Sequence, residues 1–192
     1  MKKNNIFEHN SRFLESFERE HVGKLKAWRN DQMAVLRQYA PLTDEDQKRW
    51  FRFMKGDKNQ ILFSLHAREG KKQKYIGYCG ITNVDYKNKR GEISFIVDSR
   101  RVANRTVYRD DFIAVLTMLT RYAFQELNLH KLFTDTFEFR KDHIKILEIF
   151  GLRKEGTLRQ HYFGKGKYFN SFIHSILKDE WVRIQKKYES KK

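Results

Sequence analysis

The chain has 192 residues, 40% of them hydrophobic and 15% aromatic, including 16 Phe and 9 Tyr. That length fits one domain spanning 1–192, and the aromatic content excludes a chain too polar to build a core. Forty Lys and Arg against 24 Asp and Glu give a formal net charge of +16, which favours anionic partners such as nucleic acid, an anionic membrane or a phosphorylated small molecule.

Residues 1–10 are polar and read as a loose end. Arg12–Phe17 reads as a short strand. From His21 to Gln38 the pattern is helical, with Leu25, Trp28, Met33 and Leu36 on one side and a break near Asn30–Asp31; Trp28 reads as core packing. Thr43 opens a clear helix. Its hydroxyl is placed to cap, Asp44, Glu45 and Asp46 fill the first turn, and Gly56 ends it. Gln60–His66 and Tyr75–Val84 read as strands joined by a charged turn with Gly70. Glu92–Asp98 alternates, with Ile93, Phe95 and Val97 on one face and Glu92, Ser94 and Ile96 on the other. Asp110–Leu127 is the firmest helix, carrying Phe112, Val115, Leu116, Leu119 and Tyr122 at helical spacing. Lys131–Phe139 is a strand, and His143–Phe150 a short helix stopped by Gly151. Two strands flank the turn at Gly164–Gly166. A tail from 184 to 192, rich in Lys, reads as a second loose end. Leading strands followed by alternating helices and strands predict an α/β (α+β) fold with a mixed, mostly antiparallel sheet of about six to seven strands flanked by helices.

Cys79 is the only cysteine. It lies in an apolar strand and reads as a small buried thiol; with no disulfide available the chain suits a reducing compartment. Neither a secretory apolar segment at Met1–Ile6 nor an apolar run long enough to span a bilayer is present, so the expectation is a cytoplasmic chain without a membrane span. The seven histidines show no metal-ligand spacing.

Several phrases, in order, carry a resemblance. They are Lys26-Ala-Trp-Arg-Asn-Asp31, Pro41-Leu-Thr-Asp-Glu-Asp46, Tyr75-Ile-Gly-Tyr-Cys-Gly80, Tyr122-Ala-Phe-Gln-Glu-Leu-Asn-Leu-His130, Ile146-Leu-Glu-Ile-Phe-Gly151 and Glu155-Gly-Thr-Leu-Arg-Gln-His161, closed by Gly166-Lys-Tyr168. Together the chain resembles the GNAT superfamily of acyl-CoA-dependent N-acyltransferases. The branch it is most similar to includes ribosomal-protein N-terminal acetyltransferases and N-acetyltransferases of nucleotide-linked amino sugars.

The resemblance implies acetyl-CoA as acyl donor and direct attack of an amine on the thioester. It also implies two central strands, Glu92–Asp98 and Lys131–Phe139, that splay to admit the pantetheine arm, with backbone N–H groups along Phe95, Ile96 and Val97 binding the acetyl carbonyl. Glu92 stands where the family often places the carboxylate base; the other reading is a strand-end carboxylate paired with Arg90. Asp135 and Glu138 on the facing strand are the alternatives, or acceptor-binding residues. Arg140 and His143 stand where the family has Asn and Ser before the short helix. His143 either gives the leaving thiolate a proton near neutral pH or fills a first turn capped by Asp142. The family's tyrosine acid is replaced by Leu147.

The pyrophosphate turn departs from the family. Glycines are expected there because only glycine lets successive backbone N–H groups crowd an anion at a helix N-terminus. Here Tyr108 and Asp110 hold the glycine places in a stretch reading SRRVANRTVYRDDF. Three readings remain: anchoring of phosphate by Arg100, Arg101, Arg105 and Arg109; loss of the cofactor; or an exposed basic loop. Arg29, Arg37 and His161 are expected to face the acceptor, a small and anionic amine. A protein or peptide N-terminus, or a binding module without catalysis, is the alternative. Nucleic acid fits the charge, but no basic-aromatic strand motif supports it. A homodimer stays open.

Overall fold

The structure is a computed structural model and describes residues 7–188. One eight-stranded sheet runs in the order β1-β2-β3-β4-β5-β6-β8-β7. Its strands are β1 (Glu8–His9), β2 (Arg12–Ser16), β3 (Ile61–Glu69), β4 (Lys72–Asp85), β5 (Arg90–Val97), β6 (Lys131–Phe137), β7 (Arg153–Gly164) and β8 (Lys167–Leu177). Neighbours pair antiparallel except β5 and β6, which are parallel. The two-residue β1 accounts for the strand beyond the expected six or seven.

Among the described residues, six α-helices cover the sheet: α1 (Val22–Asp31), α2 (Asp44–Gly56), α3 (Ser99–Ala103), α4 (Arg105–Arg121), α5 (Lys141–Phe150) and α6 (Lys178–Ile184). Helices α1 and α2 lie on one face, where Phe17, Val22, Leu25 and Tyr78 form a small core with Trp50, Phe51 and Ile96. The main core is on the other face. There Val115, Leu116, Met118 and Leu119 of α4 meet Ile76, Ile81, Ile93 and Val97 of the sheet and Ile146, Leu147 and Phe150 of α5.

Local chemistry explains the boundaries. Thr43 caps α2 reciprocally with Asp46, its Oγ1 accepting from the Asp46 N–H at 3.1 Å, as the capping box requires. Helix α1 stops at Asp31, and Met33–Val35 continues only as a 3₁₀ turn, close to the expected break. Helix α5 ends at Gly151, whose φ of 123° is open to glycine at little cost. Helix α4 opens at Arg105, earlier than the expected Asp110, because the Asn104 side chain accepts from the Val107 N–H at 3.1 Å. It closes in a widened π turn at Tyr122–Glu126. Cys79 and Trp28 are buried, as expected. Of the two ends expected to be loose, 1–6 and 189–192 lie outside the described residues. Inside them, β1 pairs with β2, and Tyr188 stacks on Phe150 at 4.5 Å.

One buried carboxylate ties distant elements together. Asp111 of α4 is fully buried and accepts from Arg101 Nε at 2.5 Å, Arg101 Nη2 at 2.8 Å and Arg12 Nε at 2.9 Å. It thus joins β2, α3 and α4. Removing one partner of such a set strands the others' charge. Asp111→Ala is therefore expected to cost about 3 kcal/mol or more of unfolding free energy, read by urea titration; a loss below about 1 kcal/mol, the level of an exposed pair, would show that the set does not hold the fold.

Candidate active site

The β5–β6 ladder is short. Arg90, Gly91 and Glu92 pair with Lys131, Leu132 and Phe133, and the pairing then stops. β5 continues along β4 as far as Val97, while β6 continues along β8 as far as Phe137. The two strands therefore part after Glu92, and the β5 edge from Ile93 onward has no strand partner on that side. Strand register sorts the side chains. Glu92 and Asp135 share the face covered by α1 and α2, whereas Ile93, Phe95, Leu132 and Thr134 point to the α4–α5 face.

A cavity of about 470 Å³ occupies the parting. Its lining comes from both faces: Arg29, Arg37, Trp50, Tyr78 and Ser94 on one, Phe95, Phe112 and His143 on the other. It runs through the plane of the sheet.

On the α1–α2 side two carboxylates face one guanidinium. Arg37 Nη2 lies 2.7 Å from Asp135 Oδ2, and its Nη1 lies 3.5 Å from Glu92 Oε1. Both carboxylates are largely buried, at 16% and 11% side-chain exposure, while Arg37 is 54% exposed. Glu92 Oε2 also accepts from Asn83 Nδ2 at 2.9 Å. Arg90 turns instead to Asp85 at 3.4 Å, so the pairing of Glu92 with Arg90 is not formed. Asp135 Oδ1 is buried without a hydrogen-bond partner, a costly state that invites a further donor. Tyr78 Oη bonds Ser94 Oγ at 3.0 Å, and burial pushes the phenol up to about 12. Arg29 lies over Trp50 at 5.6 Å, and burial lowers its basicity.

On the α4–α5 side, Phe112 stacks on Phe95 at 4.7 Å and on His143 at 4.3 Å. His143 Nδ1 lies 2.7 Å from Tyr108 Oη, and Arg140 Nη2 donates to that Oη at 3.3 Å. Burial, helped by Arg140 and His174, holds His143 well below the usual histidine range. That shift favours the neutral ring. Asp142 does not cap α5; it pairs with Arg105 at 3.1 Å.

The structure thus gathers Arg29, Arg37, Glu92, Phe95, Ile96, Asp135, Arg140 and His143 around one cavity. Other expected residues lie elsewhere. Val97 is buried, and its carbonyl accepts from Gln32 Nε2 at 2.8 Å. Glu138 clamps Asn170, accepting from its backbone N–H at 2.9 Å and its Nδ2 at 3.0 Å, so it joins β6 to β8. His161 lines a neighbouring pocket of about 570 Å³ with Tyr39, Tyr162 and Phe163, its Nδ1 3.7 Å from Asp135. Asn83, Tyr78, Ser94 and Tyr108 were not foreseen as site residues. Only Asn83 left a signal: an Asn inside a strand, here at a φ of 51° beside a break in the β4–β5 register.

The glycine places at Tyr108 and Asp110 fall inside α4, so neither residue confronts a phosphate at its N-terminus. That end presents the N–H groups of Arg105 and Thr106. Around it stand Arg100, Arg105 and Arg109, paired with Asp98, Asp142 and Asp110 but 83%, 86% and 60% exposed. Exposed pairs of this kind are weak and exchange readily. Arg101 is excluded as an anchor by its buried bonds to Asp111. The through-sheet opening has room for a thioester arm, and the three exposed arginines, which lie outside the cavity lining, have the chemistry to hold a diphosphate.

Comparison with known proteins agrees with this geometry. The family model of the acetyltransferase (GNAT) domain matches residues 14–173. The uncharacterized N-acetyltransferase p20 of Bacillus licheniformis is 27% identical over 162 residues, 81% of this chain and 85% of that protein. The solved spermidine N-acetyltransferase of Vibrio cholerae, in complex with CoA and spermine, superposes with a TM-score of 0.76 at 18% identity, covering 90% of this chain and 98% of that one. A chimera of the Vibrio cholerae enzyme SpeG with hSSAT gives 0.79 at 17% identity, covering 90% and 99%. At such identities these structures speak for the fold alone. No described helix is long and apolar enough to cross a membrane. The chain belongs to the GNAT acetyltransferase family and is an N-acetyltransferase that takes its acyl group from acetyl-CoA.

Proposed function

We propose that the acyl group passes through the parting of β5 and β6 to the primary amine of a small acceptor bound on the α1–α2 face. The observation that carries this reading is the position of Glu92 at the last paired rung, beside the opening and on the acceptor face. Acetyl-CoA supplies a thioester carbon open to attack. The free edge of β5 offers backbone N–H groups to the acyl oxygen. Glu92, held by Asn83, takes the proton that the amine must lose. Asp135 lines the same cavity and holds the acceptor's ammonium before the proton leaves.

For the acceptor we favour a nucleotide-linked amino sugar. The neighbouring pocket supports it, because Tyr39, Phe163 and Tyr162 offer ring faces for a base or sugar, and Arg37 sits between the two pockets within reach of a phosphate. A second reading has its own support. Two carboxylates at the amine's place suit a plain cationic amine, such as a polyamine or a peptide N-terminus, with no phosphate; the Vibrio cholerae structure was solved with spermine.

Arg37→Ala separates the two. A nucleotide-linked acceptor loses a phosphate contact and its KM rises. A plain cationic amine loses a competitor for Glu92 and Asp135, and its KM falls. Acetyl-CoA at one hundred times its Kd is expected to stabilise the protein by about 2.7 kcal/mol, seen as a rise in Tm; no shift with any acyl-CoA would overturn the reading. Glu92→Gln is expected to lower kcat by about 10²-fold while that shift persists, and unchanged turnover would remove Glu92 from the chemistry.

A further inference from the structure

On the α4–α5 side of the opening stands a chain of polar groups remote from Glu92 and Asp135. Tyr108 and His143 are both buried, with Oη and Nδ1 2.7 Å apart. Arg140 Nη2 reaches the same Oη at 3.3 Å and lies 3.5 Å from Nδ1. A guanidinium only donates. The same Nη2 also bonds Nδ1, so Nδ1 is an acceptor and the phenol's own hydrogen points at it. A neutral imidazole that accepts at Nδ1 carries its hydrogen on Nε2. Nε2 has no hydrogen-bond partner among the described residues, and the ring lines the cavity. Phe112, stacked at 18° to the imidazole, fixes the plane of the ring.

We propose that Tyr108, acting through His143, is the proton reserve for the sulfur that departs when the amide forms. This rests on the transferase reading above. As the amine's lone pair makes the C–N bond, the C–S bond breaks and its electrons go to sulfur. The Nε2 hydrogen of His143 passes to that sulfur. The Tyr108 hydroxyl refills the ring at Nδ1, and the imidazole ends as the other tautomer. The phenolate left behind is held by the Arg140 guanidinium. The proton taken by Glu92 on the opposite face returns through solvent to His143 Nε2, which lines the cavity, and the Nδ1 hydrogen passes back to the Tyr108 phenolate, so the resting tautomer is restored and one amine proton becomes one thiol proton. Burial favours this route over a charged imidazole, because it keeps the ring neutral, and the neighbouring Arg140 opposes the upward push that burial gives the Tyr108 phenol.

Two measurements test the relay. Nitrogen-15 NMR of histidine-labelled protein reports the resting tautomer of His143 without any turnover; hydrogen on Nε2 is expected, and hydrogen on Nδ1 overturns the proposal. The second compares leaving groups at saturating donor. With acetyl-CoA, Tyr108→Phe is expected to lower kcat by about 10²-fold with KM unchanged. With an acetyl aryl thioester, whose thiol leaves without a proton, the loss is expected to stay under about twofold. Equal slowing with both donors, or no slowing with either, overturns the relay and leaves Tyr108 a packing residue. If Tyr108→Phe does not fold, His143→Gln is expected to show the same split between donors. Wild-type protein with no amine-dependent thiol release would instead refute the transferase reading, and the relay with it.

Discussion

The site depends on a ladder that stops. Three rungs hold β5 to β6, and after Glu92 each strand follows its other neighbour. Backbone hydrogen-bonding groups are obligatory partners, and a sheet that leaves an edge open inside a domain does so at a cost. Here the open edge borders a cavity lined from both faces of the sheet. The remaining architecture keeps the strands from closing. β8 holds β6 over its whole length, from Lys131 to Phe137, and the Asn170–Glu138 clamp continues that hold one residue further. β4 follows β5 to Val97. Gly77 and Gly80 of β4 allow close approach: a Cβ at Gly77 would lie 2.4 Å from the Ile96 carbonyl oxygen, and one at Gly80 would lie 2.2 Å from the Ile61 carbonyl oxygen.

The opening also divides the charge. Carboxylates gather on the α1–α2 face, where Glu92 and Asp135 share Arg37. Exposed guanidiniums gather instead near the start of α4, where Arg100, Arg105 and Arg109 lie outside the cavity lining. The net charge of +16 is thus a poor guide to the α1–α2 side of the cavity. Whole-chain charge governs long-range attraction, whereas the few groups within contact distance decide which end of a ligand is held.

The order of elements was legible because each carried a local cause. Thr43 and Asp46 announced α2, Gly151 announced the end of α5, and the alternation of Ile93, Phe95 and Val97 announced the two faces of β5. The cavity lining was legible where the resemblance supplied a position: Glu92 and Asp135 on their strands, Arg29 and Arg37 in and after α1, and Arg140 and His143 at the start of α5 all border it. The arginines of α3 were harder. Arg100 and Arg101 are adjacent in sequence, yet Arg100 lies on the surface and Arg101 is locked to a carboxylate ten residues later and to the same carboxylate as Arg12. No local pattern distinguishes them, because the distinction is made by tertiary burial. Tyr108 was misread for a related reason. With α4 expected to begin at Asp110, Tyr108 fell in a loop; the Asn104 cap places it inside the helix, facing α5.

The Asp111 knot has a mechanical consequence. Arg12 lies in β2, next to the outermost strand of the sheet, and Arg101 lies in the short helix just before the α4 mouth. A single buried anion pins both. The margin of the sheet and the short helix ahead of α4 are therefore tied to one point, and loosening the chain near its first strands would be felt at the start of α4, far along the polypeptide.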